Sequence, residues 1–571
     1  MDFRWSIAPR TPHEADKLSR DLGVSKLLAQ CLINRGHADS EQASRFLKPQ
    51  LRDLAHPLEV PNMKAAVDRL FVAREKGEKV LIFGDYDVDG VTSTALLVEV
   101  MREFGWQLDS YLPHRLNEGY GLSRTAVKNC LARFSPSVFL AVDCGSTATE
   151  TIGYLNEQGI DVLVLDHHQI ADPRPPAVAL VNPQVNGGLF CELSSVGLAF
   201  KLAHAIVMRC RELNAPPSAK DYDMKPLLDL VALGTVADLV PLVRENRIMV
   251  TSGLNRLNQT RRAGLLALME VAQVRDTIGV FEISFQLGPR INASGRLEDA
   301  MASLDLLLCN DVESAKQRAL DLDACNRERQ LIEKSIADRA IGSVRDNFDP
   351  DDDFVIVQGD LDWHVGVVGI VASRVLREFY RPTIILGGEG SELRGSGRSV
   401  EGFDLAEALR SCSDLLLRHG GHAMAAGLSI APENLPAFRR QINDFAKKAL
   451  TQASFNPVVH LDAEVPLGVM GLPQMEELVR LRPFGAGNDP LQFAVRDVVL
   501  QSLPHRMGKE GQHAKFWITD GEVSNEVLWW NCGDKALPSG HFDIAFAPQI
   551  NDYNGRRSIQ LKLLHWRPTE R

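Results

Sequence analysis

The sequence lacks paired cysteines. Its 9 cysteines are scattered, odd in number and form no C-x-x-C pair. We therefore expect neither a disulfide framework nor a zinc knuckle, and we expect reduced thiols in a cytoplasmic protein. The sequence also lacks any apolar run of about 18 residues and any apolar segment after Met1 of the kind found in signal peptides. No export and no membrane insertion are expected.

An excess of positive charge is also missing. The formal net charge is −11, which taken alone argues against a nucleic-acid partner. An enzyme that holds cations among carboxylates, however, places much of its negative charge at the active site. Net charge therefore excludes little. With 571 residues, 45% of them hydrophobic, the chain is long enough for roughly three or four globular domains.

The chain does contain a dense group of acids after an apolar run. Gly84–Gly90 follows Val80–Phe83 and has carboxylates at alternate positions, Asp85, Asp87 and Asp89. These charges repel one another unless a cation lies among them, so the segment predicts a metal site. The same pattern opens an EF-hand loop, but Leu96 stands where that loop needs glutamate. For any single acid, capping a helix or closing a turn is the alternative.

Alternating helix and strand patterns from Met63 onward predict a parallel sheet covered on both faces. The expected strands are Lys79–Phe83, Leu108–Leu112, Ser137–Val142 and Asp161–Leu165. Acids follow three of them, at Asp85, Asp143 and Asp166. Because open α/β sheets place ligand sites outside the carboxyl ends of their strands, we expect these acids to converge with three later residues, His167, His168 and Asp238.

The fold class we predict is multidomain α/β with an added β-barrel. Residues 1–62 form a helical cap, and residues 63–300 form the first α/β unit. The long charged helix of residues 301–349 is interpreted as a connecting strut. A smaller α/β unit follows at residues 350–453. Short alternating strands and turns at residues 454–571 predict an OB-like β-barrel.

The acid-rich ligand set favours hard divalent ions. Carboxylates with one or two imidazoles suit Mg²⁺ or Mn²⁺ better than zinc. Enough acids are present for two ions about 3.5 to 4 Å apart that share a carboxylate, an arrangement that clamps the attacking and leaving oxygens of a phosphoryl centre. The chemistry indicated is hydrolysis of a phosphate ester or anhydride.

Four ordered motifs resemble those of the DHH phosphoesterase superfamily, namely Asp85–Gly90, Val142–Gly145, Asp166–His168 and Gly234–Asp238. The second α/β unit, with Gly420-Gly421-His422, resembles the DHH-associated domain. The layout with a strut and a barrel is similar to that of members that are single-strand-specific 5′-to-3′ DNA exonucleases. The resemblance implies release of 5′-mononucleotides by two-metal hydrolysis, in DNA repair and recombination.

The resemblance also implies roles for individual residues. The metal ligands would be Asp85, Asp87, Asp89, Asp143, His167 and Asp238. Asp143 would bridge the two ions, His168 would face the scissile phosphate, and Asp166 would orient the histidines. Some relatives have a histidine where this chain has Phe83. Either one ion has fewer ligands here, or Asp85 supplies the missing oxygen.

Three stretches are expected to hold backbone phosphates: Pro113–Gly121, a short loop at Gly288–Arg296, and a glycine-rich turn at Arg394–Ser399. For each stretch, an ordinary solvated turn is the alternative. The predicted substrate-binding residues are Arg115, Tyr120, Arg290, Asn292, Arg296, Ser396, Gly397, Arg398 and His422. The resemblance suggests that Arg115, Ser396 and Arg398 recognise the 5′ end. His422 has a turn-stabilising role as its alternative.

The barrel contains aromatic residues that could stack on bases, a contact that tolerates any sequence. The candidates are Phe516, Trp517, Trp529, Trp530 and Tyr553, of which Trp517, Trp529 and Tyr553 are preferred. A small barrel also needs aromatics inside, so we expect about half of its aromatic residues to be core. The resemblance implies single-stranded DNA as substrate, with a single-strand-binding protein and a RecQ-type helicase as partners. We expect a monomer.

Two other functions remain open at this point. One is a DHH phosphoesterase acting on short oligonucleotides, cyclic dinucleotides or pyrophosphate; the length of the chain argues instead for a polymer. The other is a catalytically silent scaffold that binds single-stranded DNA. That function predicts eroded metal ligands, whereas this chain has the full set.

Overall fold

The structure is a computed structural model that describes residues 3–119, 121–188, 190–297, 299–349, 351–533, 535–553 and 555–570, apart from the side chains of Leu116, Glu389, Ala453 and Tyr553. The chain forms two compact units. The first comprises Met1–Asp53, Pro241–Ile248 and Asn456–Arg571, and the second comprises Leu54–Val240 and Met249–Phe455. Among the described residues, no helix combines the length and the apolar character needed to cross a bilayer.

The second unit is built around a five-stranded parallel sheet. Its spatial order is Gln107–Tyr111, Lys79–Gly84, Val138–Val142, Asp161–Leu165 and Ala179–Val181. The predicted parallel α/β fold is confirmed. The last strand was not predicted, since its three residues are too few to show a periodic pattern. Helices cover the sheet, among them Met63–Lys76, Val88–Glu103, Arg124–Leu131, Thr149–Glu157 and Ser195–Leu213.

The strand order reverses between Lys79–Gly84 and Val138–Val142, which lie side by side with Gly84 opposite Val142. The connections after these two strands therefore leave in opposite directions and open a crevice at the carboxyl edge. Asp85 and Asp143 are the first residues beyond the paired ends. The topology thus places the acids of two separate motifs at one point.

One of the remaining helices of this α/β region lies where a loop was predicted. These helices are Arg115–Glu118, Leu228–Ala237, Ala263–Val271, Val280–Glu282, Gly288–Leu297 and Met301–Leu307, with a π-helical turn at Ile283–Leu287. The helix Arg244–Leu257 begins in the first unit and ends in the second. The predicted loop at Gly288–Arg296 is helical. Its segment has Ile283, Leu287 and Ile291 at four-residue spacing, and all three are fully buried. Pro289 lies in the first turn, where a helix tolerates proline.

The predicted strut is the helix Val312–Asn347, 36 residues long and therefore about 54 Å from end to end. It begins at residue 312 rather than near 301, because the Asp311 side chain accepts a hydrogen bond from Ser314 N (2.8 Å) and caps it. The strut packs against Gly288–Leu297 and against the helix Val368–Phe379 of the second α/β region. It therefore joins the two α/β regions within one unit.

The second α/β region contains a mixed five-stranded sheet in the order Leu416–Gly421, Ala425–Ile430, Glu392–Arg398, Thr383–Glu389 and Ile356–His364. Its helices are Val368–Phe379, Leu405–Arg410 and Leu435–Ala449. The predicted glycine-rich turn at Arg394–Ser399 is instead mostly strand. A Cβ on Gly395 would lie 2.8 Å from Ile385 O, and one on Gly397 would lie 2.5 Å from Leu405 Cδ2. These glycines therefore permit close packing.

The first unit contains the predicted OB-like barrel, which is confirmed. Its strands are Ala463–Glu464, Phe493–Leu500, His505–Met507, His513–Thr519, Ser524–Trp529, Phe542–Tyr553 and Arg556–Pro568. Pairing of Phe493–Leu500 with both Phe542–Tyr553 and His513–Thr519 curls the sheet on itself. Four helices accompany the barrel, namely Pro12–Leu22, Lys26–Asn34, Ser40–Leu47 and Leu472–Leu478. The N-terminal helices share its hydrophobic core, and Arg4–Ile7 pairs in parallel with Val458–Leu461.

Candidate metal centre

Asp87 and Asp89 are held by the amino ends of two helices. Asp87 Oδ1 caps the helix Val88–Glu103 by accepting from Asp89 N (3.0 Å) and Gly90 N (3.1 Å). Asp89 accepts from Ser195 N (2.7 Å) and Val196 N (2.9 Å) at the start of Ser195–Leu213. Helix amino termini favour negative charge. Both carboxylates are therefore rigidly placed.

Asp143 lies at the centre of the carboxylate group. It has a positive φ of 61°, an uncommon conformation for a residue with a side chain and one that concentrates at functional sites. Its Oδ1 accepts from Ser195 Oγ at 2.8 Å. Ligand atoms of Asp85, Asp87 and Asp143 lie within 4.8 Å of one another, as do those of Asp143, His167 and His168. Asp143 thus belongs to two candidate ion sites, as a bridging ligand must.

His167 and Asp238 face each other without a hydrogen bond. His167 Nε2 lies 3.5 Å from Asp238 Oδ2 and 3.6 Å from Asp143 Oδ1. His167 Nε2 and Asp238 Oδ2 are buried and lack any hydrogen-bond partner. Two ligands of one ion at bonds of about 2.1 Å are themselves separated by roughly 3 Å. Unpaired buried polar atoms at this spacing fit a shared cation.

Asp166 and His168 form a hydrogen-bonded pair beside this group. Asp166 Oδ1 accepts from His168 Nδ1 (2.7 Å) and from His167 N (2.8 Å), while Oδ2 accepts from Ser146 N (3.0 Å). Burial raises the pKa of Asp166, but His168 outweighs it and holds that pKa below its usual range. Burial lowers the pKa of His168, but Asp166 outweighs it and raises that pKa to about 9. His168 is therefore protonated at neutral pH.

His167 has the opposite electrostatic character. Burial, followed by the positive charge of His168, lowers the pKa of His167 to about 4. Its imidazole is neutral at physiological pH, which is the form that binds metals. Neighbouring histidines in one motif therefore have different chemistry: one offers a lone pair and the other a proton.

The carboxyls repel one another strongly. Burial, followed by the charge of Asp87, raises the pKa of both Asp85 and Asp89 to about 7. Burial and the charges of Asp89 and Asp87 raise the pKa of Asp238 to about 9, and the pKa of Asp143 is raised by the same causes. A divalent cation removes this repulsion. The donor set of carboxylates with one neutral imidazole fits Mg²⁺ or Mn²⁺.

Asp85 and Phe83 differ from the rest of the motif. Asp85 Oδ1 accepts a long hydrogen bond of 3.4 Å from Gly121 N, and the side chain lies within ligand distance of Asp87 and Asp143. Phe83 is fully buried and stacks with Tyr111 and Phe139. It belongs to the core, so any added ligand at this end of the site must come from Asp85.

Metal binding predicts a measurable change in stability. Asp238 and His168 retain protons in the metal-free fold at a pH where the unfolded chain has released them. The free energy of unfolding without metal must therefore fall as pH rises from about 7 to about 9. Bound Mg²⁺ keeps the carboxyls ionised, which removes their share of this loss. We expect the melting temperature in Mg²⁺ to exceed that in EDTA by a margin that widens between about pH 6.5 and about 8.5. A margin that stays constant or narrows would contradict this expectation.

A group of cationic side chains lies at the junction of the two α/β regions of the second unit. Arg296 Nη1 donates to Gly366 O at 3.1 Å, and Gly366 N donates to His364 Nδ1 at 3.1 Å. Burial, followed by the charge of Arg115, lowers the pKa of Arg296 to about 10 and also lowers that of Arg398. The charge of Arg115 therefore repels the guanidinium groups of Arg296 and Arg398. Such a group favours an anion.

Arg398 and Ser396 lie beside the start of the helix Val368–Phe379. Arg398 Nη1 donates to Ser396 Oγ and to Gly397 O, both at 2.8 Å. A Cβ on Gly369, in the first turn of that helix, would lie 3.2 Å from both Arg398 Nη2 and Ser396 Oγ. The guanidinium, the hydroxyl and the helix amino terminus therefore meet at one place, as predicted substrate-binding residues should.

Other predicted substrate-binding residues have different partners in the structure. Arg290 Nε pairs with Asp323 Oδ1 of the strut at 2.9 Å, and its Nη1 donates to Gln286 O. Asn292 Oδ1 accepts from Val88 N at 3.1 Å, which fixes the metal loop. Arg290 and Asn292 therefore have structural contacts here, and their contact with phosphate stays a prediction. Tyr120 lies outside the described residues.

His422 lies at the tip of the hairpin between Leu416–Gly421 and Ala425–Ile430. It is exposed, and its backbone N donates to Ala425 O at 2.8 Å. Ala425 pairs with Arg398 on the next strand, so the tip is at the same end of the sheet as Arg398. The motif Gly420-Gly421-His422 thus ends a strand and begins a turn.

The barrel aromatics divide by the alternation of strand residues. Trp517 is 42% exposed, whereas Phe516 before it is 1% exposed and belongs to the core. Trp529 is 8% exposed and lies in the same core, so the prediction that it stacks on bases was wrong. Its neighbour Trp530 is 45% exposed instead. The side chain of Tyr553 lies outside the described part of the chain.

Four residues that support the site were not predicted from the sequence. Ser195 binds Asp89 and Asp143, and Ser146 N binds Asp166. Asn182 Nδ2 donates to Ser146 Oγ and His168 O, both at 2.8 Å. His364 lies beside Arg296. The pair Ser194-Ser195 before an apolar run is a helix-start signal and could have identified the first of them; the others have no local signal.

Comparison with known proteins agrees with this geometry. The chain matches the DHH family, N-terminal domain, over residues 79–235, the DHHA1 domain over 352–448 and the RecJ OB domain over 461–565. It is 35% identical to the single-stranded-DNA-specific exonuclease RecJ of Bacillus subtilis, covering 98% of this chain and 70% of that protein. It is 33% identical to RecJ of Haemophilus influenzae, covering 93% and 94%.

Solved structures of RecJ are also similar to this chain. The crystal structure of Thermus thermophilus RecJ in complex with Mn²⁺ is similar with a TM-score of 0.85 and 30% identity, covering 100% of this chain and 80% of that one. The same protein in complex with Mg²⁺ is similar with a TM-score of 0.79 and 28% identity, covering 100% and 79%.

Proposed function

Because the chain belongs to the RecJ family of single-stranded-DNA-specific exonucleases, we propose that it degrades single-stranded DNA from the 5′ end and releases 5′-mononucleotides, in DNA repair and recombination. The observation that supports this most directly is the convergence of a complete carboxylate and histidine set at the switch point of the parallel sheet. A silent scaffold has no need for this set. The enzyme depends on Mg²⁺ or Mn²⁺.

The ions are assigned ligands from four motifs. We assign Asp87, Asp89, Asp143, His167 and Asp238 as ligands, with Asp143 binding both ions. Asp85 is an additional candidate ligand at one end of the site. When bound, two ions activate the attacking water and neutralise charge on the phosphate. The protein fixes these ligands through Ser195 and the amino ends of two helices. Its part is to hold the carboxylates at a separation they would not adopt alone.

His168 supplies the proton that the reaction needs. Its Nδ1–H donates to Asp166 Oδ1, which leaves Nε2–H free to donate to an oxygen of the scissile phosphate. Because Asp166 raises the pKa of His168 to about 9, the ring stays protonated at neutral pH. It can stabilise the developing charge and then protonate the leaving 3′ oxygen.

The 5′ end is placed at the cationic group beside the helix Val368–Phe379. Arg398, Ser396 and the helix amino terminus supply donors, and Arg115 and Arg296 add positive charge. A terminal phosphate has more negative charge than an internal one, so it gains more from this group. Binding the end and cleaving the adjacent bond would set the 5′-to-3′ direction.

Replacing Arg398 with alanine tests this placement. We expect the ratio of kcat/KM for 5′-phosphorylated and 5′-hydroxyl strands to fall by about tenfold or more, because a charge-assisted hydrogen bond to the terminal phosphate is lost. Arg394→Ala, on the same strand, is the matched control. An unchanged ratio in Arg398→Ala would remove Arg398 from the 5′ site.

The proposed activity is tested by product analysis. The protein with Mn²⁺ is incubated with 5′-labelled and 3′-labelled single strands, blunt duplex, a dinucleotide and a cyclic dinucleotide. We expect labelled mononucleotide to appear at once from the 5′ label and late from the 3′ label, with little degradation of duplex. Faster turnover of either dinucleotide than of the polymer would favour a small-substrate phosphoesterase instead.

The cellular setting is a further part of the proposal. We infer that the enzyme works as a cytoplasmic monomer, together with a single-strand-binding protein and a RecQ-type helicase that supplies unwound strands. The division of the chain into five parts, with boundaries at residues 62, 300, 349 and 453, stays a prediction. Light scattering of the purified protein tests whether it is a monomer. Degradation of duplex with and without such a helicase tests the partnership.

A further inference from the structure

Two phenylalanines project side by side from the segment that precedes Gly288–Leu297. Phe281 is 60% exposed and Phe285 is 64% exposed. Their ring centroids are 5.0 Å apart with planes inclined by 35°. On the other face of the same segment, Ile283 and Leu287 are fully buried. The segment is therefore firmly anchored, and exposing both rings costs apolar surface that folding would otherwise hide.

This helical segment also lines the metal loop. Asn292 accepts from Val88 N at 3.1 Å. A Cβ on Gly288 would lie 3.6 Å from the Cβ of Ala237, the residue before Asp238, and one on Gly295 would lie 2.9 Å from Tyr86 O. Phe285 is three residues before Gly288, about one turn or roughly 5 Å along the axis. The segment that carries the rings therefore continues directly into the helix that contacts the metal loop.

Two further features involve the chain around Asp238. Leu239, directly after Asp238, is 68% exposed and has a positive φ of 62°. Ile283–Leu287 is a π-helical turn that packs against Leu228–Ala237. Such turns are costly and concentrate at functional sites. The turn carries Phe285 and packs against the helix that leads to Asp238.

We propose that Phe281 and Phe285 form a stacking platform for the bases next to the scissile phosphate. The inference rests on the proposed function, since it assigns a part of the substrate to a surface beside the same metal centre. The phosphates are drawn to the cations and arginines, so the bases must lie against another surface of the site. Aromatic rings hold any base by its face, as an enzyme without sequence preference requires. Continuity with the metal centre favours DNA over a protein partner.

The test compares normal and abasic strands. In Phe281→Ala/Phe285→Ala we expect KM for a normal single strand to rise roughly tenfold, because base stacking is lost, with kcat little changed. On strands whose first three nucleotides are abasic, the KM of wild type should rise by a similar factor. The KM of the variant should rise little further on these strands. Phe281→Tyr/Phe285→Tyr should restore wild-type values. Leu213→Ala is the control, because that exposed residue ends the helix Ser195–Leu213, whose other end binds Asp89.

Each alternative outcome has a distinct reading. A rise in KM of the variant over wild type by the same factor on normal and abasic strands would overturn the platform. No rise in KM on either strand would also overturn it and would favour a protein docking surface. The gain in melting temperature with Mn²⁺ checks that the variant retains its fold and metal centre. If wild type itself fails to degrade single strands, the proposed function fails, and that result is separate from any difference between variants.

Discussion

Replacing Asp143 with asparagine is expected to lower kcat by at least about a thousandfold, because a bridging carboxylate organises both ions at once. Asparagine keeps the oxygen that accepts from Ser195 Oγ, so the fold and the crevice should persist. Affinity for single-stranded DNA, measured by fluorescence anisotropy, should stay close to that of wild type, because the cationic group at Arg115, Arg296 and Arg398 is untouched.

The stability of the same variant separates a metal ligand from a structural residue. Removing one of several mutually repelling carboxylates should raise the melting temperature in EDTA, since burial and four neighbouring acids raise the pKa of Asp143. The further gain with Mn²⁺ should largely disappear. Asp109→Asn, on the edge strand of the same sheet, is the matched control for both measurements. Turnover near wild type in Asp143→Asn would remove the bridging assignment.

Replacing His168 with glutamine is expected to lower kcat by about 10²- to 10⁴-fold with a small change in KM, the range typical of a lost general acid. The ring is 53% exposed and its Nδ1 is taken by Asp166, so the metal ligands should stay in place. The Mn²⁺-dependent gain in melting temperature should therefore be retained. Loss of that gain would identify His168 as a ligand instead.

Asp166→Asn provides the companion measurement. The amide oxygen can still accept from the backbone of His167 and His168, but the negative charge that raises the pKa of His168 is gone. We expect kcat to fall by about 10- to 100-fold, as is usual when a residue that orients a reacting group is changed. In the double variant with His168→Gln, little further loss is expected, because Asp166 acts through His168. Full additivity would contradict that.

Prediction from sequence succeeded best where the chemistry is local. Asp87, Asp89, Asp143 and His167 were singled out as candidates because each follows a strand with an apolar run, and the four longer strands were found for the same reason. It failed at Gly288–Arg296 and Arg394–Ser399, where glycines suggested turns. In the folded chain these glycines admit neighbouring backbone and side chains, which depends on partners far away in sequence.

The candidate substrate residues show the same division. Arg290 and Arg296 are both arginines of one short segment, and no local pattern separates them. The fold directs Arg290 to Asp323 of the strut and Arg296 to Gly366, near the proposed 5′ site. In the barrel, the alternation of inward and outward residues could be read around Phe516 and Trp517, but it does not say which face of the strand at Trp529 is buried.

The sequence by itself determined the ligand types, the ions they prefer and the parallel sheet that presents them, because donor chemistry and strand patterns are properties of short segments. The tertiary structure alone decided which atoms remain free. Packing leaves His167 Nε2 and Asp238 Oδ2 buried and unpaired, joins Asp89 and Asp143 through Ser195, and exposes Phe281 and Phe285. These relations join segments separated by tens to hundreds of residues, so they arise only when the chain folds.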